Sequence, residues 1–162
     1  MGVRHRVLAG VLGVGVALVA SGCSWFGGGD DGSAVSVFDV EVGDCFLAPK
    51  EITTTFTTLS RVDCDVPHEQ EAYAKATYTD PGTDSTPETF PGEAALKSFA
   101  DGVCAEQYAD YVGIDYRDSE LFFTYLLPSP RSWEGDADHS TLCFVTTTDG
   151  VQLTRSVQGT SW

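Results

Sequence analysis

Cys23, Cys45, Cys64, Cys104 and Cys143, with His68 and His139, are the residues best suited to chemistry in this 162-residue chain. His68 stands four residues after Cys64, in the run Cys64-Asp65-Val66-Pro67-His68-Glu69. Such a pair could supply a thiolate nucleophile and an imidazole base, provided that the thiol is reduced and partly exposed. Cys23 follows an N-terminal leader and is set aside as a lipidation site, and four cysteines remain. An even number in an exported domain reads instead as two disulfides. Three pairings are open. Cys45–Cys64 with Cys104–Cys143 is favoured, because the first two cysteines fall on neighbouring elements. On the loop-entropy model these bonds would contribute ~3 and ~4 kcal/mol. No Cys-x-x-Cys occurs, which argues against a thioredoxin-like redox site. His68 is then expected to be structural, hydrogen-bonding the turn after Pro67.

Asp136, Asp138 and His139 form a second cluster of potential metal ligands. It lacks the spacing of a helical His-Glu-x-x-His site or a calcium loop, and no metal or cofactor is expected. Paired carboxylates could also hydrolyse glycans, but in a chain with 24 acidic residues some pair always looks suitable. There is no Gly-x-Ser-x-Gly elbow for serine hydrolysis. Trp133, Phe90 and Tyr125 could bind a ligand, though single aromatics more often fill a core or an edge. No catalytic residue is expected. The candidates for a surface or turn site are His68, Trp133, Asp136 and His139.

The leader shows where these residues operate. Arg4, His5 and Arg6 give a basic start, and residues 7–20 are uncharged and mostly apolar. That run is short for a membrane span, which needs ~20 residues, and suits a signal-peptide core. Ala20-Ser21-Gly22-Cys23 then resembles a lipobox, with Cys23 as the lipidated residue. The alternatives are an ordinary secretory signal and an uncleaved anchor. The expected organisation is a signal peptide over 1–22, a lipidated cysteine and flexible tether over 23–34, and one domain over 35–162. The Gly-rich stretch after Trp25 and Phe26 fits the tether. The expected location is the outer face of the cell membrane, held by lipid.

Charge narrows the partners. Two of the nine basic residues, Arg4 and Arg6, lie in the leader, and all 24 acidic residues follow it. Nucleic acid binding needs basic patches that displace counterions, so it is excluded as a function class. Anionic headgroups would also repel the domain, leaving the anchor to hold it at the membrane.

Periodicity supplies the elements that must position the candidates. Residues 35–47 read as a strand with an irregular middle and a turn at Gly43-Asp44, 53–62 as a Thr-rich strand, and 71–79 as an alternating strand. Residues 80–89 carry Pro81, Gly82 and Pro87 and read as a loop. Pro91 to Gly113 bounds a helix whose apolar stripe is Leu96, Phe99, Val103, Cys104, Tyr108 and Tyr111. Residues 121–127 form a dense apolar run that reads as a central strand, and 133–136 read as a turn, with one helical loop as the alternative. Asp149-Gly150 between 140–148 and 151–157 predicts a closing hairpin. Strands, one amphipathic helix and further strands give an α+β fold: an antiparallel sheet with the helix packed on one face and two disulfides.

The ordered set Gly43-Asp44-Cys45-Phe46, Val62-Asp63-Cys64 with Pro67-His68, Phe90-Pro91-Gly92, Cys104 with Tyr111-Val112-Gly113, and Pro128, Trp133, Gly135-Asp136 and Cys143 resembles the septum-formation-related domain of actinobacterial membrane proteins and lipoproteins. The resemblance spans about residues 37–159. It implies a place in the cell envelope, near wall-synthesis or division proteins, and carries over no active-site residues. The expected function is a lipid-anchored, non-enzymatic binding or scaffold module that engages an envelope protein or wall component. The competing expectation is a small wall-acting hydrolase using Asp136, His139 or His68; a deep cleft joining the two histidines would favour it, and a flat apolar patch would favour binding.

Overall fold

The computed structural model describes residue 2 and residues 32–49, 56–148 and 150–162. Cys23, the leader apart from residue 2, and most of the tether lie outside these residues. Among the described residues six strands form one sheet: β1 (Ser33–Ser36), β2 (Cys45–Leu47), β3 (Thr58–Val62), β4 (Gln70–Thr77), β5 (Phe122–Leu126) and β6 (Ser140–Thr146). Their order is β1-β3-β2-β4-β6-β5, with every pair antiparallel. The α+β architecture is thus the one expected. Helix α1 (Glu93–Val112) packs on one face of the sheet, and a short helix, α2 (Pro130–Gly135), follows β5.

Helix α1 buries Leu96, Ala100, Cys104, Tyr108, Tyr111 and Val112, four of which belong to the predicted stripe. It starts just after Pro91 and ends at Gly113, whose left-handed backbone (φ 93°) caps the last turn by donating to the Ala109 carbonyl. On the sheet beneath, the alternation of β4 is interrupted by a bulge between Ala72 and Ala74. The bulge turns both Tyr73 and Ala74 toward α1 and leaves Ala72 on the opposite face. A uniform in-and-out alternation through Ala72, Ala74 and Ala76 therefore does not hold.

Two clusters divide the sheet. The helix side holds Tyr73, Cys104, Tyr108, Cys143 and Val145, and the other side holds Val40, Phe46, Leu59, Ala72, Leu142 and Phe144. Disulfides join Cys45 to Cys64 and Cys104 to Cys143, with Cα separations of 5.3 and 5.6 Å. The first ties β2 toward the loop after β3, and the second ties α1 to β6.

Four local expectations are corrected. Residues 35–47 do not form one strand: a 3-10 turn at Val37–Asp39 separates β1 from β2, and both pair with β3. β5 is an edge strand rather than a central one. Residues 130–135 form a helix, closed by a reciprocal capping box between Ser129 and Ser132. Residues 151–157 do not pair with β6, because β4 and β5 already occupy both of its edges. Leu153 instead makes a single antiparallel bridge to His68, and Leu153 and Val157 are buried in the helix-side core. Asp149 lies outside the described residues.

Candidate functional site

The face of the sheet away from α1 is only partly covered. The chain leaves β1, turns through Val37–Asp39 and crosses this face, with Val40 buried beneath it. The Ser36 hydroxyl accepts from the Phe38 N–H at 3.3 Å and caps the turn. Lys75 Nζ donates to the Phe38 carbonyl at 2.8 Å and to the Val40 carbonyl at 3.4 Å, so a β4 side chain holds the crossing in place.

Between this crossing and the corner from β5 into α2 lies a groove of about 550 Å³. Val37, Leu126, Pro128 and Leu142 give it apolar walls, and Arg131, Asp136 and Asp138 bring charge to it. Phe38, 45 % exposed, also lines it. Of the three serines lining it, Ser129 and Ser132 are committed to the α2 cap. Ser132 N–H donates to Ser129 Oγ at 3.0 Å, and Ser129 N–H donates to Ser132 Oγ at 2.9 Å. Asp138 Oδ1 accepts from the Ser140 N–H at 3.2 Å. The groove thus combines apolar walls, two carboxylates and one guanidinium. Such a surface can take up an apolar side chain flanked by charge.

The four surface or turn candidates do not assemble into one site. Trp133 is buried, donates from Nε1 to the Pro87 carbonyl at 3.1 Å, and packs edge-on against Tyr78 and Phe90. His139 lies against it, ring centroids 4.3 Å apart. Only Asp136 of the four lines the groove. His68 is at the other end of β4. The Tyr78 N–H donates to the His139 carbonyl just beyond the last residue of β4, whereas His68 precedes its first. Ten residues of extended chain span about 30 Å. A single cleft joining the two histidines is therefore absent among the described residues, and Asp136, Asp138 and His139 do not bring ligand atoms together.

His68 has a structural setting close to the one expected. Its backbone pairs with Leu153 in both directions, at 2.9 and 2.8 Å, and its Nδ1 bonds the Val66 carbonyl at 2.7 Å. The bond falls just before Pro67 rather than after it. The ring is fully buried, and its Nε2 has no partner among the described residues.

A buried carboxylate beside it went unrecognised in the sequence. Glu71 accepts from Tyr111 Oη at 2.5 Å, from Ser156 Oγ at 2.6 Å and from the Val157 N–H at 2.8 Å. It thereby ties the sheet, the end of α1 and the C-terminal segment together. Burial raises the Tyr111 phenol above its ordinary range, and the hydrogen bond and charge of Glu71 add to the rise. The signal available in the sequence was a glutamate inside an apolar alternating strand. Its donors lie 40, 85 and 86 residues away. Cys45, His68 and Glu71 offer ligand atoms within 4.8 Å of one another. A disulfide sulfur is not a thiolate ligand, however, so the set does not fit a metal while Cys45 is bonded to Cys64.

Comparison with known proteins gives one match. The family model described as "Septum formation" matches residues 42–161. No curated protein and no solved structure matches the chain.

Proposed function

Because the chain belongs to the septum-formation family, we propose that it is a lipid-anchored, non-enzymatic binding module on the outer face of the cell membrane, serving septum formation or a related wall process. The lipobox-like Ala20-Ser21-Gly22-Cys23 supports the anchor at Cys23. The groove between the Val37–Asp39 turn and α2 supports the binding role, and it is the observation on which this reading rests.

The occupant proposed is a segment of another envelope protein that presents an apolar side chain next to lysine or arginine. Apolar walls and the exposed Phe38 ring suit the side chain. Among the described residues lining the groove, Asp136 and Asp138 outnumber Arg131, and the chain as a whole carries a formal charge of −15, so a basic flank is favoured.

A photo-cross-linking side chain placed at Phe38 in growing cells tests this, with the same group at exposed Lys97 on α1 as control. Expected is one protein captured from position 38 and not from 97, lost in Leu142→Glu and displaced by a synthetic peptide of leucine flanked by lysines. Identical capture from both positions, or capture indifferent to the peptide, would overturn the reading. Intact mass of the processed protein tests the anchor separately: diacylated Cys23 is expected as the new N-terminus.

A further inference from the structure

A second cleft, about 670 Å³, opens at the other end of the sheet and is lined by Asp44, Cys45, Arg61, Asp63 and Cys64. Cys64 is half-buried, and its sulfur lies 3.3 Å from the Gly43 carbonyl; Cys45 is completely buried. The Cys45 sulfur shares a space of under 4.8 Å with a ring nitrogen of His68 and a carboxylate oxygen of Glu71. His68 Nδ1, bonded to the Val66 carbonyl, must carry the proton of the neutral ring. That leaves Nε2 a bare buried acceptor, which is unfavourable. A disulfide sulfur has no proton to offer the imidazole beside it, whereas a thiol has one.

We infer that Cys45–Cys64 is a site of thiol–disulfide exchange, opened by an external thiol that attacks Cys64 from the cleft and expels Cys45 toward His68. The deprotonated external sulfur forms a new bond to Cys64 Sγ. The Cys45–Cys64 bond breaks, and its electron pair leaves on Cys45. The proton given up by the external thiol ends on the Cys45–His68 pair, as S–H donating to Nε2 or as thiolate beside imidazolium. Glu71 is the adjacent counter-charge for the second form. If the reagent is a dithiol, its second sulfur attacks the first and leaves as the oxidised reagent. Cys45 and Cys64 then hold the two electrons and two protons that the dithiol has lost. Closure runs in reverse, with His68 accepting the Cys45 proton. The cleft carries two carboxylates, Asp44 and Asp63, against Arg61, so a cationic thiol is favoured over an anionic one.

Cys104–Cys143 provides the internal control, because both of its cysteines are fully buried in the core. The full chain with both disulfides formed is treated under native conditions with cysteamine, a cationic monothiol, and separately with dithiothreitol, then acid-quenched, alkylated and mapped by peptide mass. The arms separate a monothiol, which stops at a mixed disulfide, from a dithiol, which completes the reduction. Expected are a cysteamine adduct on Cys64 and none on Cys45, and dithiothreitol opening of Cys45–Cys64 at least roughly tenfold ahead of Cys104–Cys143. His68→Gln is expected to slow re-closure by roughly tenfold or more. An adduct on Cys45, equal rates for the two disulfides, or opening only where the protein unfolds would overturn the proposal. Those readouts need no substitution, so they stand even if His68→Gln does not fold. An unchanged re-closure rate in a folded His68→Gln protein would overturn the role given to the imidazole.

Discussion

The two disulfides differ in what surrounds the sulfur. Cys104 and Cys143 sit between α1 and β6 with no exposed surface, and the Tyr73 hydroxyl donates to the Cys104 carbonyl at 2.7 Å, closing the helix over them. Cys45 is equally buried, but its partner Cys64 reaches an open cleft, and a buried imidazole and carboxylate lie beside it. One bond staples two layers of the core. The other joins a core residue to the surface, with ionisable groups at its inner end. Reactivity at a disulfide follows from access and from what can receive the leaving sulfur, and the chain supplies both at only the second position.

Removing each bond gives the largest effect and tests the comparison directly. Cys104→Ala with Cys143→Ala frees a loop of 39 residues and is expected to cost about 4 kcal/mol from chain entropy, with further loss from the emptied core. Cys45→Ala with Cys64→Ala frees a loop of 19 and is expected to cost about 3 kcal/mol. Urea midpoints and slopes measure both. A larger loss from the Cys45–Cys64 pair would mean that the cleft-side bond is the main staple, and the contrast would collapse.

Glu71→Leu addresses the cleft side without touching a sulfur. It strands the Tyr111 hydroxyl, the Ser156 hydroxyl and the Val157 N–H, all of which now converge on one carboxylate. Unpaired buried donors are costly, and a net loss of about 3 kcal/mol is expected. Because Ser156 and Val157 belong to the C-terminal segment, hydrogen exchange should rise first at Leu153 and Val157. Uniform exchange through the whole sheet would show that Glu71 serves the core generally rather than this segment.

The helix side has its own signature in alkali. Burial is the leading cause that raises the phenols of Tyr73, Tyr108 and Tyr111 above the ordinary tyrosine value of 10.0. Tyr125 is pushed up to about 12, by loss of solvation first and then by its hydroxyl donating to the Asp101 carboxylate at 2.8 Å. The folded protein therefore holds these protons more tightly than the unfolded chain does. The resulting stability is fully present below pH 10, the unfolded value, and is lost as the pH rises toward the folded values. Phenolate absorbance should rise in a cooperative step that coincides with loss of ellipticity. Independent titration of Tyr73, Tyr108 and Tyr111 near pH 10 in a folded protein would contradict this.

The parts of the fold legible in the sequence are those that local spacing controls. The stripe on α1, its Gly113 stop and the favoured cysteine pairing all appear in the structure. β5 misled because apolar density reports buried faces, not hydrogen-bonded neighbours. Phe123 and Tyr125 pack toward α1 while Leu126 packs on the opposite side, so an edge strand reads like a central one. Asp149-Gly150 misled because a turn signal cannot reveal that both edges of β6 are taken. Asp136, Asp138 and His139 looked like a cluster through proximity in sequence. In the structure Trp133 is buried with His139 against it, and Asp136 lines the groove. The Glu71 network and the groove were invisible because their parts come from distant elements.

The smallest expected effect separates rate from stability at the cleft. Arg61 lies 3.3 Å from Asp44 with much of its side chain in solvent, so Arg61→Gln should shift the urea midpoint by less than about 0.5 kcal/mol. Among the described residues its charge is nevertheless the only positive one lining the cleft, beside Asp44 and Asp63. Removing it leaves the carboxylates unopposed, so the preference of Cys45–Cys64 for a cationic over an anionic thiol should widen at low salt and fade at high salt. Cys104–Cys143, enclosed by the core, should show no such dependence on either the substitution or the salt. If Arg61→Gln altered both bonds alike, global opening would control both reactions, and the two disulfides would differ in burial alone.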